Sequence, residues 1–301
     1  MRANANNKKA VNYIAIVSAV ILVAYAISMI VPILWTLMTT IKMPLEYGAG
    51  GNVLWFPKLG VTFENFVTAF KFFKVTVEPT EYGQSPISYN ILLQFVNSLL
   101  YSVGCSVAVT LTSLVMGYAT ARFNYAFSKV IYAFVLVAIA LPIVGSMPSE
   151  IQVATTLRIF DTFPGIWIMR ATFLNTYFLI FHANFKAIPK DYTEAAKIDG
   201  ASPFTIMFQI IVPLAVGTIV TIFVLNFIAY WNDFQIPMVY IPSYPVAALG
   251  MYRFQNARIY EIDNDPTRLA GICLMALPIV IFYAIFNKQL NVNMSDGGIK
   301  G

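Results

Sequence analysis

Few side chains in this sequence could do covalent chemistry. There is one histidine, His182, and there are two cysteines, Cys105 and Cys273. Both cysteines fall inside apolar runs, so they form neither a CxxC metal pair nor a disulfide framework. His182 reads as a helix-end residue, not as a ligand. No GxxxxGK[ST] loop is present to cradle a nucleotide phosphate, and no nucleophile stands beside a base. What remains is charge in unusual places. Arg170 and Asn175 lie within an apolar run, where an ionisable group is a functional suspect. Arg170 is close enough to Pro164 and the run's end for its side chain to snorkel to water. The stretch YTEAAKIDGASPFTIMFQIIVPL, residues 192–214, sets Glu194, Lys197 and Asp199 between two apolar runs. With no catalytic partner in reach, these charges point to recognition.

Local chemistry shapes that stretch closely. Asp191 can N-cap a helix, and Glu194 can reach back as in a capping box. The helix then runs about eight residues, roughly 12 Å, until Gly200 stops it by taking a left-handed backbone. Ser202 caps a second helix with Pro203 in its first turn, and Pro213 kinks the chain onward. Ala195, Ala196, Gly200 and Ala201 give the tip small side chains that can seat deeply in a groove on a partner. The plainer alternative is an ordinary helix at the membrane interface.

The elements that must carry this tip are membrane spans. Of 301 residues, 58% are hydrophobic and only 11% charged, against about 25% charged in soluble proteins. A helix needs roughly 20 apolar residues to cross a bilayer. Six runs qualify, at about 11–37, 92–118, 130–147, 164–182, 211–231 and 269–286. The expected fold is therefore all-α, a single polytopic membrane domain over 1–301 with six transmembrane helices. The first run follows Arg2, Lys8 and Lys9 like a signal peptide, but it is too long for one and lacks a cleavage site, so it is expected to be retained. With the N-terminus inside, the shorter inner segments hold ten Lys/Arg against four acids, and the outer ones eight against ten. Basic density then favours cytoplasmic N- and C-termini. The same rule accounts for the net charge of +5 without a nucleic-acid partner.

Other segments carry weaker signals. In TFENFVTAFKFFK, the residues Phe63, Phe66, Val67, Phe70 and Phe73 recur at helical spacing, which predicts an amphipathic helix lying on lipid, on a partner span or on its own bundle. Pro79, Gly83 and Pro86 break the chain before the second span. In that span Gly104, Ser106, Ser113, Gly117 and Ala119 allow close helix approach, and Asn97 and Ser98 read as polar glue more readily than as ligands. Pro142 should kink or stop the third span. Residues 232–268 form a long outer segment rich in Pro, Tyr and Asn. Asn226, Tyr230 and Trp231 could contact a sugar near the outer end of the fifth span. They equally suit an aromatic interface belt, the preferred reading. The spans hold no Asp or Glu, which argues against a proton- or sodium-driven carrier.

EAAKIDGA, followed by PL at 213–214, resembles the EAA loop of permease subunits in binding-protein-dependent ABC importers. FVNSL at 95–99, YATARF at 118–123, LRIFDT at 157–162, IPKDYTEAA at 188–196 and the terminal GGIKG resemble the maltose-type branch of carbohydrate permeases. The resemblance implies a methionine-importer-like permease fold in the cell membrane, with 189–213 as the cytoplasmic coupling loop. It implies that Glu194, Ala195, Ala196, Asp199 and Gly200 dock on an ATPase. The implied partners are a second homologous permease, two cytoplasmic ATPase subunits, an extracytoplasmic sugar-binding protein and membrane lipid. ATP and Mg would sit on the ATPases, and this non-catalytic chain would bind no cofactor. It would form half of an alternating-access pathway for a sugar, an oligosaccharide by the habit of the branch. Many members carry a second proline where this chain has Gly217, so a straighter start to the fifth span is expected. A secondary carrier or channel without an ATPase is the competing reading.

Overall fold

A computed structural model of the protein describes residues 2–78, 85–123, 125–141 and 145–296, with side chains over 13–286 of these. In chain order the helices are α1 (Arg2–Thr40), α2 (Pro44–Tyr47), α3 (Glu64–Phe72), then a two-stranded antiparallel ribbon of β1 (Val75–Val77) and β2 (Ile87–Tyr89). There follow α4 (Ile91–Arg122), α5 (Ala126–Ala140), α6 (Met147–Thr156), α7 (Phe163–Arg170), α8 (Thr176–Ala187) and α9 (Asp191–Ile198). The chain continues as α10 (Pro203–Leu214), α11 (Val216–Trp231), α12 (Gln235–Tyr240), α13 (Ala247–Asn256) and α14 (Asp265–Asp296).

Three helices among the described residues are long and apolar enough to cross a membrane: Tyr13–Thr40, Ile91–Arg122 and Asp265–Phe286. A fourth crossing is available if α10 and α11 count together, although they meet at a bend of 74°. The expected span 164–182 is not one helix. It divides into α7 and α8, because Thr172 and Asn175 offer the backbone a different set of hydrogen bonds. Thr172 Oγ1 accepts from Leu174 N–H at 3.2 Å, Asn175 Nδ2 donates to the Thr172 carbonyl at 2.9 Å, and Asn175 Oδ1 accepts from Phe178 N–H at 3.1 Å. Such local bonds compete with the helical ladder, and the last of them N-caps α8. The apolar α5 ends at Ala140, and Pro142, expected to stop this run, lies outside the described residues. So do Pro79, Gly83 and the terminal GGIKG.

The chain forms two compact units. The first comprises residues 1–73 and 254–274. From Tyr13 to Leu34 every residue of α1 is exposed, so over this stretch the described residues cover no face of the helix. After α1, buried polar groups fix the path of the backbone. Lys42 Nζ donates to the carbonyls of Asn52 and Val53 at 3.0 and 2.9 Å. Glu46 accepts from Lys58 N–H at 2.6 Å and Leu59 N–H at 3.1 Å, and also from Asn52 Nδ2. The backbone bond from Lys58 leads the effects that hold the Glu46 carboxyl below the usual carboxylate range. Asn65 on α3 donates to the carbonyls of Thr40 and Lys42 at 2.8 and 2.7 Å. The amphipathic pattern of α3 therefore faces opposite to a core helix. Asn65, Ala69 and Phe73 are buried, while Phe63, Val67 and Phe70 face outward.

The second unit comprises residues 74–253 and 275–301. Its axis is α4, which packs on α7, α8 and α11. Small residues make this possible: a Cβ on Gly104 would lie 2.0 Å from Trp167 Nε1, and one on Gly117 2.7 Å from Phe181 Cβ. Asn97 and Ser98 are buried and act as glue, although toward a loop. Asn97 Nδ2 donates to the Pro245 carbonyl at 3.0 Å, and Ser98 Oγ accepts from Ala247 N–H at 2.7 Å. Residues 245–251 are buried as a result, so this part of the long 232–268 segment packs into its own unit. Two apolar clusters result. One joins α4 and α8 to α9 and α10, through Leu114, Tyr118, Phe185, Ile206 and Met207. The other joins α4 and α7 to α12 and α13, through Tyr101, Ile166, Tyr240 and Leu249.

Candidate functional site

The charged stretch folds as a short helix, a sharp turn and a bent helix. The turn is a complete Schellman arrangement: Ala201 N–H donates to the Ala196 carbonyl at 2.9 Å, and Gly200 N–H to the Lys197 carbonyl at 3.1 Å. It requires the left-handed backbone that Gly200 adopts, at φ +79°. Ser202 caps α10 as expected, accepting from Thr205 N–H at 3.2 Å. The start of α9 differs from expectation. Lys190 occupies the N-cap position in helical conformation, and no side chain caps the helix. Asp191 is already inside the first turn, where it and Glu194 act only through the helix dipole.

The bend beyond α10 also corrects an expectation. The start of the fifth span is not straighter for lacking a second proline, since α10 and α11 meet at 74°. Pro213 alone suffices. It offers no N–H to the Gln209 carbonyl, and its ring crowds that turn. The helix responds by widening: Ile206–Ile211 is π-helical, and Val212 N–H reaches back to the Met207 carbonyl. The buried Ala215 forms the corner.

Of the five residues expected to dock on a partner, Glu194, Ala195, Asp199 and Gly200 are exposed together at the tip. Ala196 is not; at 6% exposure it packs into the α4–α8–α10 cluster. Sequence reasoning missed Ile198, which is 86% exposed at the end of α9. The fold leaves this isoleucine largely uncovered beside an acidic tip. Its signal was the one large aliphatic residue in TEAAKIDGA.

A second polar constellation surrounds Arg170. The guanidinium does not snorkel to water: Nη2 lies 2.8 Å from Glu150 Oε2 on α6, with side-chain exposures of 22% and 36%. Tyr240 Oη donates to the same carboxylate oxygen at 2.6 Å, Ser146 Oγ to the other at 2.8 Å, and Arg170 stands 5.1 Å over the Tyr240 ring. Burial works against ionisation of Glu150, but the bonds from Tyr240 and Ser146 and the Arg170 charge outweigh it. The carboxyl is thereby held below its usual range. Nearby on the same core, Tyr101 Oη donates to Asp233 Oδ2 at 2.8 Å, and Tyr230 meets the Tyr101 ring edge-on at 5.5 Å.

The residues considered for sugar contact are not equivalent. Asn226 is buried and donates to the Ile222 carbonyl of its own helix at 2.9 Å. Trp231 is 1% exposed, near Phe95 and Phe227, so it is not presented to an interface belt. Tyr230 is the only one of the three with partial exposure. His182 sits within α8, its Nδ1 3.0 Å from Thr120 Oγ1 and its ring 4.6 Å from that of Tyr132.

Residues 110–295 match the family described as binding-protein-dependent transport system inner membrane component. The diacetylchitobiose uptake system permease protein NgcG of Streptomyces coelicolor is 25% identical, the alignment covering 94% of this chain and 88% of that protein. The trehalose transport system permease protein SugB of Mycobacterium tuberculosis is 28% identical, covering 69% and 78%. Among solved structures, a chain of a bacterial ABC transporter involved in import of the acidic polysaccharide alginate superposes with a TM-score of 0.71 at 20% identity. That match covers 92% of this chain and 96% of the other, a likeness of fold.

Proposed function

Because the chain belongs to the family of binding-protein-dependent transport inner membrane components, we propose that it is the permease subunit of an ATP-driven sugar importer and that α9 is its coupling helix. The observation that carries this is the exposed tip of Glu194, Ala195, Ile198, Asp199 and Gly200, held by the Schellman turn and continuous with α10. Glu194 and Asp199 would meet cationic groups of an ATPase groove, Ala195 and Gly200 would permit close approach, and Ile198 would anchor it. Ala196 would act from behind, coupling the tip to the α4–α8–α10 cluster. Closure of two ATPase subunits on ATP and Mg, both bound outside this chain, would pull α9 and rock the spans between inward- and outward-open states. This chain does no bond-breaking of its own.

The relatives named for diacetylchitobiose and trehalose favour a small oligosaccharide or glycoside. Tyr230, beside Tyr101 and Asp233, offers the aromatic face and carboxylate that a sugar uses. A second permease would complete the pathway, and an external sugar-binding protein would deliver to it. In the six-span, methionine-importer-like arrangement, α5 is the third crossing, α7 with α8 the fourth, and α10 with α11 the fifth. Uptake by vesicles carrying the whole complex should require ATP and persist when ion gradients are collapsed. Uptake that follows an ion gradient without ATP would instead identify a secondary carrier.

Orientation has its own test. The basic density of 119–129 and 183–210 supports a cytoplasmic α9 and cytoplasmic termini. In a chain with Cys105 and Cys273 replaced by alanine, Ser202→Cys and Tyr260→Cys should react with impermeant maleimide from opposite sides. Tyr260 is 94% exposed, so a thiol there is open to the reagent. Labelling of both from one side would reject this topology.

A further inference from the structure

Beside α9 the structure leaves a charged cavity that shares only Glu194 with the docking tip. It measures about 400 Å³ and is lined by Arg122, Lys186, Lys190, Lys197, Thr193 and Glu194 with Ala121. That is far more room than the ~30 Å³ share of one water. Four cations face one carboxylate, and among the described residues no ion pair within 4 Å involves any of them. Three polar atoms of the lining are also orphaned: Arg122 Nε, Arg122 Nη2 and Thr193 Oγ1 are buried without a hydrogen-bond partner. Arg122 ends α4 and Lys186 lies in the last turn of α8, positions where cations often bond the last carbonyls. The orphaned guanidinium nitrogens show that Arg122 is not satisfied in that way.

We propose that this cavity is a phosphate-binding site, taking the phosphodiester of an anionic lipid headgroup or a free phosphate-bearing anion. Phosphate supplies what the lining lacks, negative charge and several acceptor oxygens for arginine and lysine. Its position favours the lipid source. A second cavity of about 470 Å³ shares Ala121 and Lys186 with the first and adds Lys129 and Tyr132. Beside Lys129, the exposed Phe127, Val130 and Phe134 run down one face of α5. A headgroup among the cations would lay its acyl chains along that face, and basic pockets between spans on the cytoplasmic side suit such headgroups. The side of the membrane rests on the permease reading above; the site itself does not.

The test uses the complete complex in nanodiscs of phosphatidylcholine with added phosphatidylglycerol, read by native mass spectrometry. The parent should retain phosphatidylglycerol selectively. Lys190→Gln with Lys197→Gln, two exposed positions that burden folding little, should weaken retention on the order of 25-fold, as each charge near the surface contributes about fivefold. Arg122→Gln should weaken it further, whereas Lys74→Gln on the other side should not. Displacement of the lipid by excess inorganic phosphate, with equal loss of phosphate protection in the variants, would make a free anion the occupant of the same site. Equal retention of lipid and phosphate by parent and variants would overturn the proposal. So would variants that lose the ATPase subunits while keeping the lipid, since the cluster would then be part of the docking surface. Lipid retention unchanged in an Ile198→Asp complex that has lost its ATPase would separate this site from the coupling reading, because Ile198 belongs to the tip and not to the cavity lining.

Discussion

Gly200→Val is expected to leave the chain inserted and paired with its companion permease while uptake collapses. A β-branched residue at φ +79° resists the left-handed backbone by roughly 1–2 kcal/mol. The Schellman turn would then loosen, and α9 would lose its fixed approach to the ATPase. Among the described residues, apart from its chain neighbours Asp199 and Ala201, none lies within 4 Å of a Cβ placed there, so crowding would arise mainly against a partner. Ile198→Asp and Glu194→Lys test the same surface without touching the turn. Both side chains are exposed and neither caps the helix, so folding should barely change. A loss of about 1.4 kcal/mol of docking energy per substitution already means a tenfold weaker grip, and a buried apolar anchor contributes more. Co-purification of all subunits beside uptake in the same cells is the measurement. Full ATPase retention with full uptake in all three variants would reduce α9 to a connector.

The parts of this site that were legible in the sequence are those fixed by neighbours in the chain. Gly200 stops a helix and Ser202 starts one because their hydrogen bonds run to residues within five positions. The break at Thr172–Asn175 was equally local, yet the apolar composition of 164–182 concealed it; the turn-forming Thr and Asn were the available signal. The N-cap at Lys190 was missed because Asp191 is a good cap by type, and the helix simply begins one residue earlier. Ala196 was assigned to the tip by its small size, but helical rotation turns it inward while Ala195 faces out. Least legible were contacts between distant residues. Nothing near Arg170 in sequence announces Glu150, 20 residues earlier, or Tyr240, 70 residues later. An arginine in an apolar run reads as snorkelling until the fold supplies its carboxylate.

That ion pair carries the second large effect. Arg170→Met should destabilise the complex, because it strands the Glu150 carboxylate with only Tyr240 and Ser146 as donors. Removing one partner of a fully buried pair costs about 3–5 kcal/mol. Here a third of the Glu150 side chain reaches solvent, so roughly 1–3 kcal/mol is expected. Arg170→Lys should not restore stability, since an ammonium lacks the planar face that stands over the Tyr240 ring. The informative variant is the double replacement Arg170→Met with Glu150→Leu. Removing both charges removes the penalty of leaving either alone, so the double variant should melt closer to the parent than Arg170→Met does. Because α6, α7 and α12 also share an apolar cluster through Ile151, Ile166 and Tyr240, they can stay packed without the ion pair, and uptake then reports something stability does not. If the pair holds these elements together during alternating access, the double variant should fold well and still transport slowly. Thermal melting of the solubilised complex and initial uptake rates separate the two roles. Additive losses in the double variant would show that Arg170 and Glu150 do not act as a pair. A stable double variant with parental uptake would show that the pair serves folding alone.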